Sequence, residues 1–367
     1  MNSIDKIISE LRLPEILKFK GGKPVVTTKD FDKRKEEIKA LLQEHIYGKI
    51  PERPEHLRVE IISINNNFCA GKAPHTRLSF TVTVCGKEFS FPVSAVIPRD
   101  KKNLPAFISL NFKSEVPNEY LPSEEIADRG YAVFSFCYKD ITSDDDNFSN
   151  GIAKLLSPTR RTLTSPGKIA MWAWAAMRVM DYVETLDFID LSSVAVIGHS
   201  RLGKTALLAA AFDERFSYAI SNNSGCAGAA ITRGKRGEHI LEITNRFPYW
   251  FAKRYAKYAA DESTLPLDQH FLLAAIAPRK ILVGSADEDE WAGPESEFLS
   301  AYLVSEVFEK VYGIKGLMHG GDIPKAMSVL SGGSVYYHLR HGMHYLSRED
   351  WNLYMDYVDD ARKTDKK

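Results

Sequence analysis

The chain is poor in cysteine, with four in 367 residues: Cys69, Cys85, Cys137 and Cys226. None forms a C-x-x-C pair, which removes the usual signal for a zinc site or for thioredoxin-like redox chemistry. Cys137 ends an apolar strand-like run and reads as a small buried hydrophobe. No apolar run reaches the roughly 18 residues of a membrane span. Net charge is also missing, because 48 Lys and Arg face 48 Asp and Glu. Nothing in that balance favours nucleic acid or an anionic membrane as partner. The Lys363 to Lys367 tail is short, holds Asp365 and reads as a frayed terminus rather than a binding arm. Met1 leads into Asn2-Ser3-Ile4-Asp5-Lys6, without the apolar core of a signal peptide. The sequence as it stands is therefore expected in the cytoplasm, or in the periplasm or outside the cell if a signal has been removed. Internal repeats and low-complexity linkers are lacking too, and one domain over residues 1–367 is expected.

What is present is ordinary globular composition, 44% hydrophobic and 26% charged, with ample length for a large core. Residues 29–47 read as an amphipathic helix, with Ile38, Leu41, Leu42 and Ile46 at helical spacing and Gly48 and Pro51 ending it. Strand-like runs follow at Leu57 to Ile64, Leu78 to Val84 and Phe89 to Ile97. The first two alternate apolar and polar residues, as strands with one wet face do. From Pro105 the rhythm changes. Ala106 to Leu110 and Tyr131 to Cys137 are nearly continuous apolar runs, a helical pattern spans Ile169 to Leu186, and Val194 to Ile197 is the next strand. Further strands are expected at Tyr218 to Ser221, Lys280 to Val283 and Val335 to Leu339, with a helix over Glu297 to Tyr312. Alternating buried strands and helices imply an α/β fold, a mostly parallel central sheet flanked by helices on both faces in three layers. With the leading antiparallel strands this makes an α/β-hydrolase-like sheet. Residues 1–100 would be an N-terminal helix and strand extension, and 101–360 the core. Asp144-Asp145-Asp146 reads as a solvated turn.

Gly198-His199-Ser200-Arg201-Leu202-Gly203-Lys204 is the most informative stretch. It lies between the β-rich run Ser193 to Ile197 and the helical run Thr205 to Phe212. A serine between a buried strand and a helix start looks like a nucleophile elbow, where the turn exposes Oγ and helix N–H groups face an oxyanion. The usual elbow reads G-x-S-x-G; here the glycine comes three residues after the serine and Arg201 follows it directly.

A serine hydroxyl needs a histidine to take its proton and an acid to hold that histidine. In this fold the chain order is serine, acid, histidine. His338 sits within the last strand pattern and reads as structural, while His341 and His344 lie in the loop after it. His344 is preferred as base, because Gly342 permits a bend that swings it over the strand ends. The acid has four candidates after the strand at 280–283: Asp287, Glu288, Asp289 and Glu290. Position in the loop favours Asp289. Arg201 and Lys204 lie one and four residues after the serine, so Lys204 shares the pocket rim one helical turn on. Two cations beside an esterase serine point to an anionic or polyhydroxylated acyl group, and Arg201 adds a cationic donor to the oxyanion. The competing reading has both cations pairing with Asp213 or Glu214 on the helix surface.

At this point the residues carry a resemblance. The stretch from Gly198 to Lys204 resembles the G-x-S-R-x-G-K signature of glucuronoyl esterases, carbohydrate esterase family 15. Further matches run in order over roughly residues 105–350: Met171-Trp172-Ala173-Trp174 with Arg178-Val179-Met180-Asp181-Tyr182, Ser224-Gly225-Cys226-Ala227-Gly228-Ala229-Ala230, Asp268-Gln269-His270, Ala277-Pro278-Arg279, Asp289-Glu290-Trp291-Ala292-Gly293-Pro294, and Tyr337-His338-Leu339-Arg340 with Gly342-Met343-His344. The resemblance implies metal-independent, cofactor-free ester hydrolysis on an α/β-hydrolase fold. Members cleave esters between 4-O-methyl-glucuronic acid of glucuronoxylan and lignin alcohols. By matching positions, Ser200 would be nucleophile and His344 general base, and Arg201 would stabilise the oxyanion. Lys204 and Glu238, the last of Arg236-Gly237-Glu238, would bond sugar hydroxyls, and Trp291 would contact the uronate ring.

Two departures matter. Many members place the triad glutamate just before the S-G-x-x-G segment; here that place is Asn223. A neutral amide cannot stabilise an imidazolium as a carboxylate does, so the acid falls to the later loop and to Asp289, as in some bacterial members. Asn111-Phe112-Lys113-Ser114 matches no clear oxyanion glycine pattern. His270 follows Asp268 and reads as a structural pair, with no metal expected. Two other readings stand beside this one: an acetyl-xylan or other carbohydrate acetyl esterase, and an inactive sugar-binding homologue, to which only Asn223 lends weight. The expected partner is a small or oligosaccharide uronate ester, with no nucleic acid and no membrane; the sequence leaves oligomeric state open.

Overall fold

The computed structural model describes residues 3–99, 101–157 and 160–365. The chain opens with α1 (Ser3–Leu11) and α2 (Thr28–Leu42). A capping box starts α2: the Thr27 side chain accepts from the Asp30 N–H, and the Asp30 carboxylate accepts from the Thr27 N–H. The helical pattern expected over 29–47 is met in two parts, because Gln43–Tyr47 continues α2 as a wider π turn. Gly48 ends it at φ +82°, where a Cβ would lie 2.3 Å from the Ser165 carbonyl oxygen.

Then come β1 (His56–Asn65), β2 (His75–Val84), β3 (Lys87–Val96), β4 (Leu104–Asn111), α3 (Ser123–Asp128), β5 (Ala132–Cys137), α4 (Tyr138–Ile141), α5 (Ala153–Leu156), α6 (Lys168–Val183), β6 (Ile189–His199) and α7 (Arg201–Phe212). They are followed by β7 (Tyr218–Asn222), α8 (Ile240–Arg246), α9 (His270–Ala274), β8 (Lys280–Ala286), α10 (Pro294–Tyr312), β9 (Ser328–Leu330), β10 (Val335–Arg340) and α11 (Arg348–Asp365). All ten strands join one sheet in the order β1-β2-β3-β5-β4-β6-β7-β8-β10-β9. β5, β4, β6, β7, β8 and β10 pair in parallel, while β1, β2, β3 and β9 join antiparallel.

The continuous apolar runs are buried for a physical reason. A parallel sheet has helices on both faces, so β4 and β5 have no wet side. On one face α6, α7, α9 and α10 pack over Trp172, Trp174, Leu207, Phe271 and Phe298. On the other, α3 and α11 cover Phe107 and Leu282 with Ile126, Trp351 and Tyr354. This is the three-layer α/β-hydrolase arrangement. β1 departs from expectation: it is an edge strand, and from Glu60 onward both its faces are wet, with Ile61, Ile62 and Ile64 exposed. Patterning also passes over α1, α11 and the three-residue β9. The terminus read as frayed continues α11 through Asp365, so that part of the expectation is corrected; Lys366 and Lys367 lie outside the described residues. Among the described residues no helix is long and apolar enough to cross a membrane.

Candidate active site

β6 ends at His199 and α7 begins at Arg201, leaving Ser200 alone between them. Its backbone sits at φ 57°, ψ −126°, a conformation that costs an L residue on the order of 1–3 kcal/mol. The turn is tied on both sides: the Ser200 N–H donates to the Asn222 carbonyl on β7, and the Ser200 carbonyl accepts from the N–H groups of Gly203 and Lys204. Gly198 is fixed by space, since a Cβ there would stand 2.1 Å from the Leu202 carbonyl oxygen. Only glycine lets the helix fold back this close to its strand. The Arg201 N–H, in the first turn of α7, belongs to the donors for which a helix has no internal acceptor.

Ser200 follows β6, Asn223 follows β7, Asp289 follows β8 and His344 follows β10. The parallel pairing brings all four to the carboxyl edge of the sheet, where open α/β sheets bind ligands. They line one cavity of about 320 Å³, with Arg201, Lys204, Glu238, Phe247, Trp250 and Trp291 among its other walls. The His344 Nδ1 donates to Asp289 Oδ2 at 2.6 Å. That bond fixes the tautomer and leaves Nε2 as a proton acceptor. Burial works to raise the Asp289 carboxyl, but the His344 hydrogen bond and charge, with the Asn223 amide, outweigh it and hold the carboxyl below its ordinary value. Among the described residues no hydrogen bond joins Ser200 to His344; in hydrolases that contact often tightens only around substrate.

The four candidate acids separate cleanly. Asp287 bonds the exposed His341 and the Gly342 N–H. Glu288 lies 3.7 Å from His341, and Glu290 is exposed. Asp289 alone of the four bonds His344 and is buried. His338 is fully buried and bonded to Asp350 at 2.7 Å, away from the cavity lining.

Neither cation after the serine sits on the helix surface. Asp213 is taken by Arg215, and Glu214 faces Lys35 and Lys39. Lys204 is buried, donates to the Ser224 carbonyl and lines the cavity. Burial lowers its pKa from the ordinary lysine value, opposed by the charge of Glu238. Glu238 is itself buried and donates its N–H to the Trp291 carbonyl at 3.0 Å. Trp291 lines the cavity and is 50% exposed.

The Asp144-Asp145-Asp146 run corrects the sequence reading. Asp145 and Asp146 are exposed, but the Asp144 side chain is only 9% accessible and forms an ion pair with Arg201. Residue type alone could not show which acid of the run turns inward. Asp268 and His270 also differ from expectation. Asp268 accepts from the N–H groups of Thr232, Arg233 and Gln269, while His270 Nε2 faces the Pro14 carbonyl, so each is structural with separate partners. Among the described residues no group of three or more His, Cys, Asp or Glu side chains is placed to hold a metal ion.

Sequence reasoning passed over two further residues. His199 lies beneath His344, ring centroids 4.5 Å apart, with its Nδ1 at 2.7 Å from Asn222 Oδ1. Burial, helped by the His344 charge, lowers its pKa to about 3. Glu297, fully buried, accepts from the Gly225 N–H at 2.9 Å and Ser285 Oγ at 2.6 Å, and so braces the Ser224-Gly225 loop from behind. No periodicity marks either; His199 is the variable position of the elbow motif and Glu297 one of several acids on α10.

The family described as glucuronyl esterase of fungi matches residues 80–313. Carbohydrate esterase MZ0003 of an unknown prokaryotic organism is 32% identical over 96% of this chain and 90% of its own. The 4-O-methyl-glucuronoyl methylesterase of Hypocrea jecorina is 32% identical over 76% of this chain and 58% of its own. Among solved structures, the glucuronoyl esterase of Solibacter usitatus superposes with a TM-score of 0.86 at 33% identity, covering 95% of this chain and 97% of that one. With a family match over more than half its length and a relative this similar end to end, the chain belongs to the glucuronoyl esterases, carbohydrate esterase family 15.

Proposed function

We propose that this protein is a serine esterase that hydrolyses 4-O-methyl-glucuronoyl esters of xylan or xylo-oligosaccharides through an acyl-enzyme. One observation carries the reading: a serine held in a strained strand-to-helix turn shares a cavity with a histidine whose Nδ1 is bonded to a buried carboxylate at 2.6 Å. The printed activity of the Hypocrea jecorina relative supports the uronate ester as substrate class.

In this mechanism His344 Nε2 takes the Ser200 proton as Oγ attacks the ester carbonyl. Asp289 keeps the imidazole oriented and stabilises its charged form. The Arg201 N–H and guanidinium hold the oxyanion, and His344 returns the proton to the departing alcohol. Water, deprotonated by the same histidine, then cleaves the acyl-enzyme. Lys204 and Glu238, both buried and lining the cavity, offer a donor and an acceptor suited to sugar hydroxyls, and the Trp291 ring offers an apolar face to the sugar C–H surface. A bound substrate would be an uncharged ester, so the cavity needs hydrogen-bonding groups more than net positive charge. The Arg201–Asp144 pair meets that need by offsetting the guanidinium.

The test is a rate comparison of methyl and benzyl glucuronate esters with acetylated xylose. Preference for the uronates, lost in Ser200→Ala, is expected. Preference for acetate would make the protein an acetyl esterase. Undetectable turnover with retained uronate binding would make it a silent sugar-binding homologue.

A further inference from the structure

The guanidinium of Arg201 is held by one side chain that lies far from it in sequence. Asp144 Oδ2 accepts from Arg201 Nη1, and the same oxygen accepts from the Tyr138 hydroxyl at 2.9 Å. Its other oxygen, Oδ1, accepts from Trp250 Nε1 at 2.7 Å, and its backbone carbonyl accepts from the Tyr249 hydroxyl at 3.0 Å. Both carboxylate oxygens are thus occupied by donors from three separate parts of the chain.

The loop that bears Asp144 is fastened in turn. Lys168 Nζ donates to Thr142 Oγ1 and to the Asn147 carbonyl, each at 2.7 Å. The Asn150 side chain closes the loop on Thr142 and Ser143. Gly151, at φ +50°, presses against Ile141, where a Cβ would stand 2.2 Å from the carbonyl oxygen. Aromatic rings fix the remaining freedom of the guanidinium. Its carbon lies 4.6 Å from the Trp250 ring centre and 5.3 Å from that of Phe247, and those two rings are stacked 3.8 Å apart. Arg201 Nε is buried without a partner, and Nη2 makes no hydrogen bond to a described residue.

We propose that Asp144 is a positioning residue for catalysis: by gripping Nη1 it aims the free edge of the Arg201 guanidinium at the oxyanion. This rests on the reading of Arg201 given under Proposed function. Two physical roles for the carboxylate predict opposite signs. A negative charge beside the oxyanion donor weakens the donor's field, so on Coulomb grounds alone Asp144→Asn should speed the reaction. Positioning predicts the reverse. An asparagine has a single oxygen for three donors, so at least one of Trp250 Nε1, Tyr138 OH and Arg201 Nη1 would face an amide N–H. Whichever way the amide turns, the guanidinium exchanges an ion pair for at most a bond to a neutral oxygen, in a loop that has lost another of its ties, and its direction loosens.

The experiment is a double-mutant cycle on a benzyl glucuronate ester, with Asp144→Asn, Arg201→Ala and the pair, and with Trp250→Phe as a second probe that removes one donor but keeps the ring. Melting temperatures check that each variant is folded. Asp144→Asn is expected to lower kcat about 10-fold with KM within about 2-fold. In the Arg201→Ala background the same change is expected to do almost nothing. Equal losses in both backgrounds would make Asp144 merely structural and overturn the proposal, as would a rise in kcat in Asp144→Asn. If Arg201→Ala alone leaves kcat unchanged, the oxyanion role of Arg201 fails and this proposal falls with it. An additive cycle on top of a large Arg201→Ala loss leaves that role standing and removes only Asp144.

Discussion

Asn223 Nδ2 donates to Asp289 Oδ2 at 2.8 Å, the same oxygen that His344 Nδ1 bonds at 2.6 Å. The residue that stands where many relatives are expected to carry an acid therefore bonds the carboxylate proposed to act instead. Asn223 adopts φ 46°, a left-handed conformation that asparagine tolerates better than most residues, and its N–H is tied to the Gly284 carbonyl on β8. The loop after β7 is thereby fixed to the strand that leads to Asp289.

The first prediction follows from this pair. Asp289→Asn should lower kcat by about 10²–10⁴-fold, because an amide offers the imidazolium no charge and can favour the wrong tautomer. Adding Asn223→Glu in that background should recover part of the loss, since the new carboxylate starts from a position already in contact with residue 289. Asn223→Glu alone should reduce activity, because two adjacent carboxylates disfavour each other's charge. Steady-state kinetics on one glucuronate ester reads all three. An unaltered kcat in Asp289→Asn would move the acid role elsewhere.

The second concerns the oxyanion. Arg201→Ala should lower kcat by about 10²–10³-fold with a far smaller change in KM, the pattern of an interaction made chiefly in the transition state. A change confined to KM would instead make Arg201 a ground-state contact.

The third is a pH dependence of stability. His199 has a folded pKa near 3 against an ordinary 6.5, because burial and the neighbouring His344 disfavour its charged form. The unfolded chain therefore binds more protons between those values. Stability contributed by a neutral His199 is complete above about 6.5 and drains away as pH falls toward 3, with a slope of up to about 1.4 kcal/mol per pH unit. Urea unfolding from pH 7 to 4 should show this decline, and His199→Gln should flatten it. Parallel slopes for both proteins would contradict the assignment.

The fourth tests sugar contact. Trp291 is half exposed, so Trp291→Ala should leave the melting temperature nearly unchanged. Loss of an aromatic contact of about 0.5–1.5 kcal/mol should raise KM roughly 2- to 10-fold. A constant KM across uronate esters would place the sugar elsewhere in the cavity.

The fifth tests the elbow. Gly198→Ala inserts a methyl 2.1 Å from the Leu202 carbonyl oxygen, backbone that cannot step aside. Destabilisation of about 1–3 kcal/mol or more is expected in chemical unfolding, with activity falling as the turn shifts.

Much of this was legible in the chain. Period-two and period-3.6 patterns placed the strands and the helices that sandwich them, because burial on both faces forces unbroken apolar runs. The serine between β6 and α7 was visible because a strand-turn-helix junction with glycine at 198 has few other uses. Other features were silent. α11 is rich in charge and hides its buried stripe of Trp351, Tyr354 and Met355. Glu297 looks like any other acid on a helix until Gly225 and Ser285 are brought against it.

The sequence by itself determined the order of the parts: a serine at the end of one buried strand, acids after a later one, a histidine after the last. Strand direction and crossover handedness do the rest, since parallel strands carry those three loops to the same edge. Only the tertiary structure decided which acid of the loop meets His344 and which face elsewhere. His344 and Asp289 are 55 positions apart, and Arg201 and Asp144 are 57 apart. Whether a loop carboxylate points to water or to a partner depends on groups that distant, whose approach local propensity does not encode.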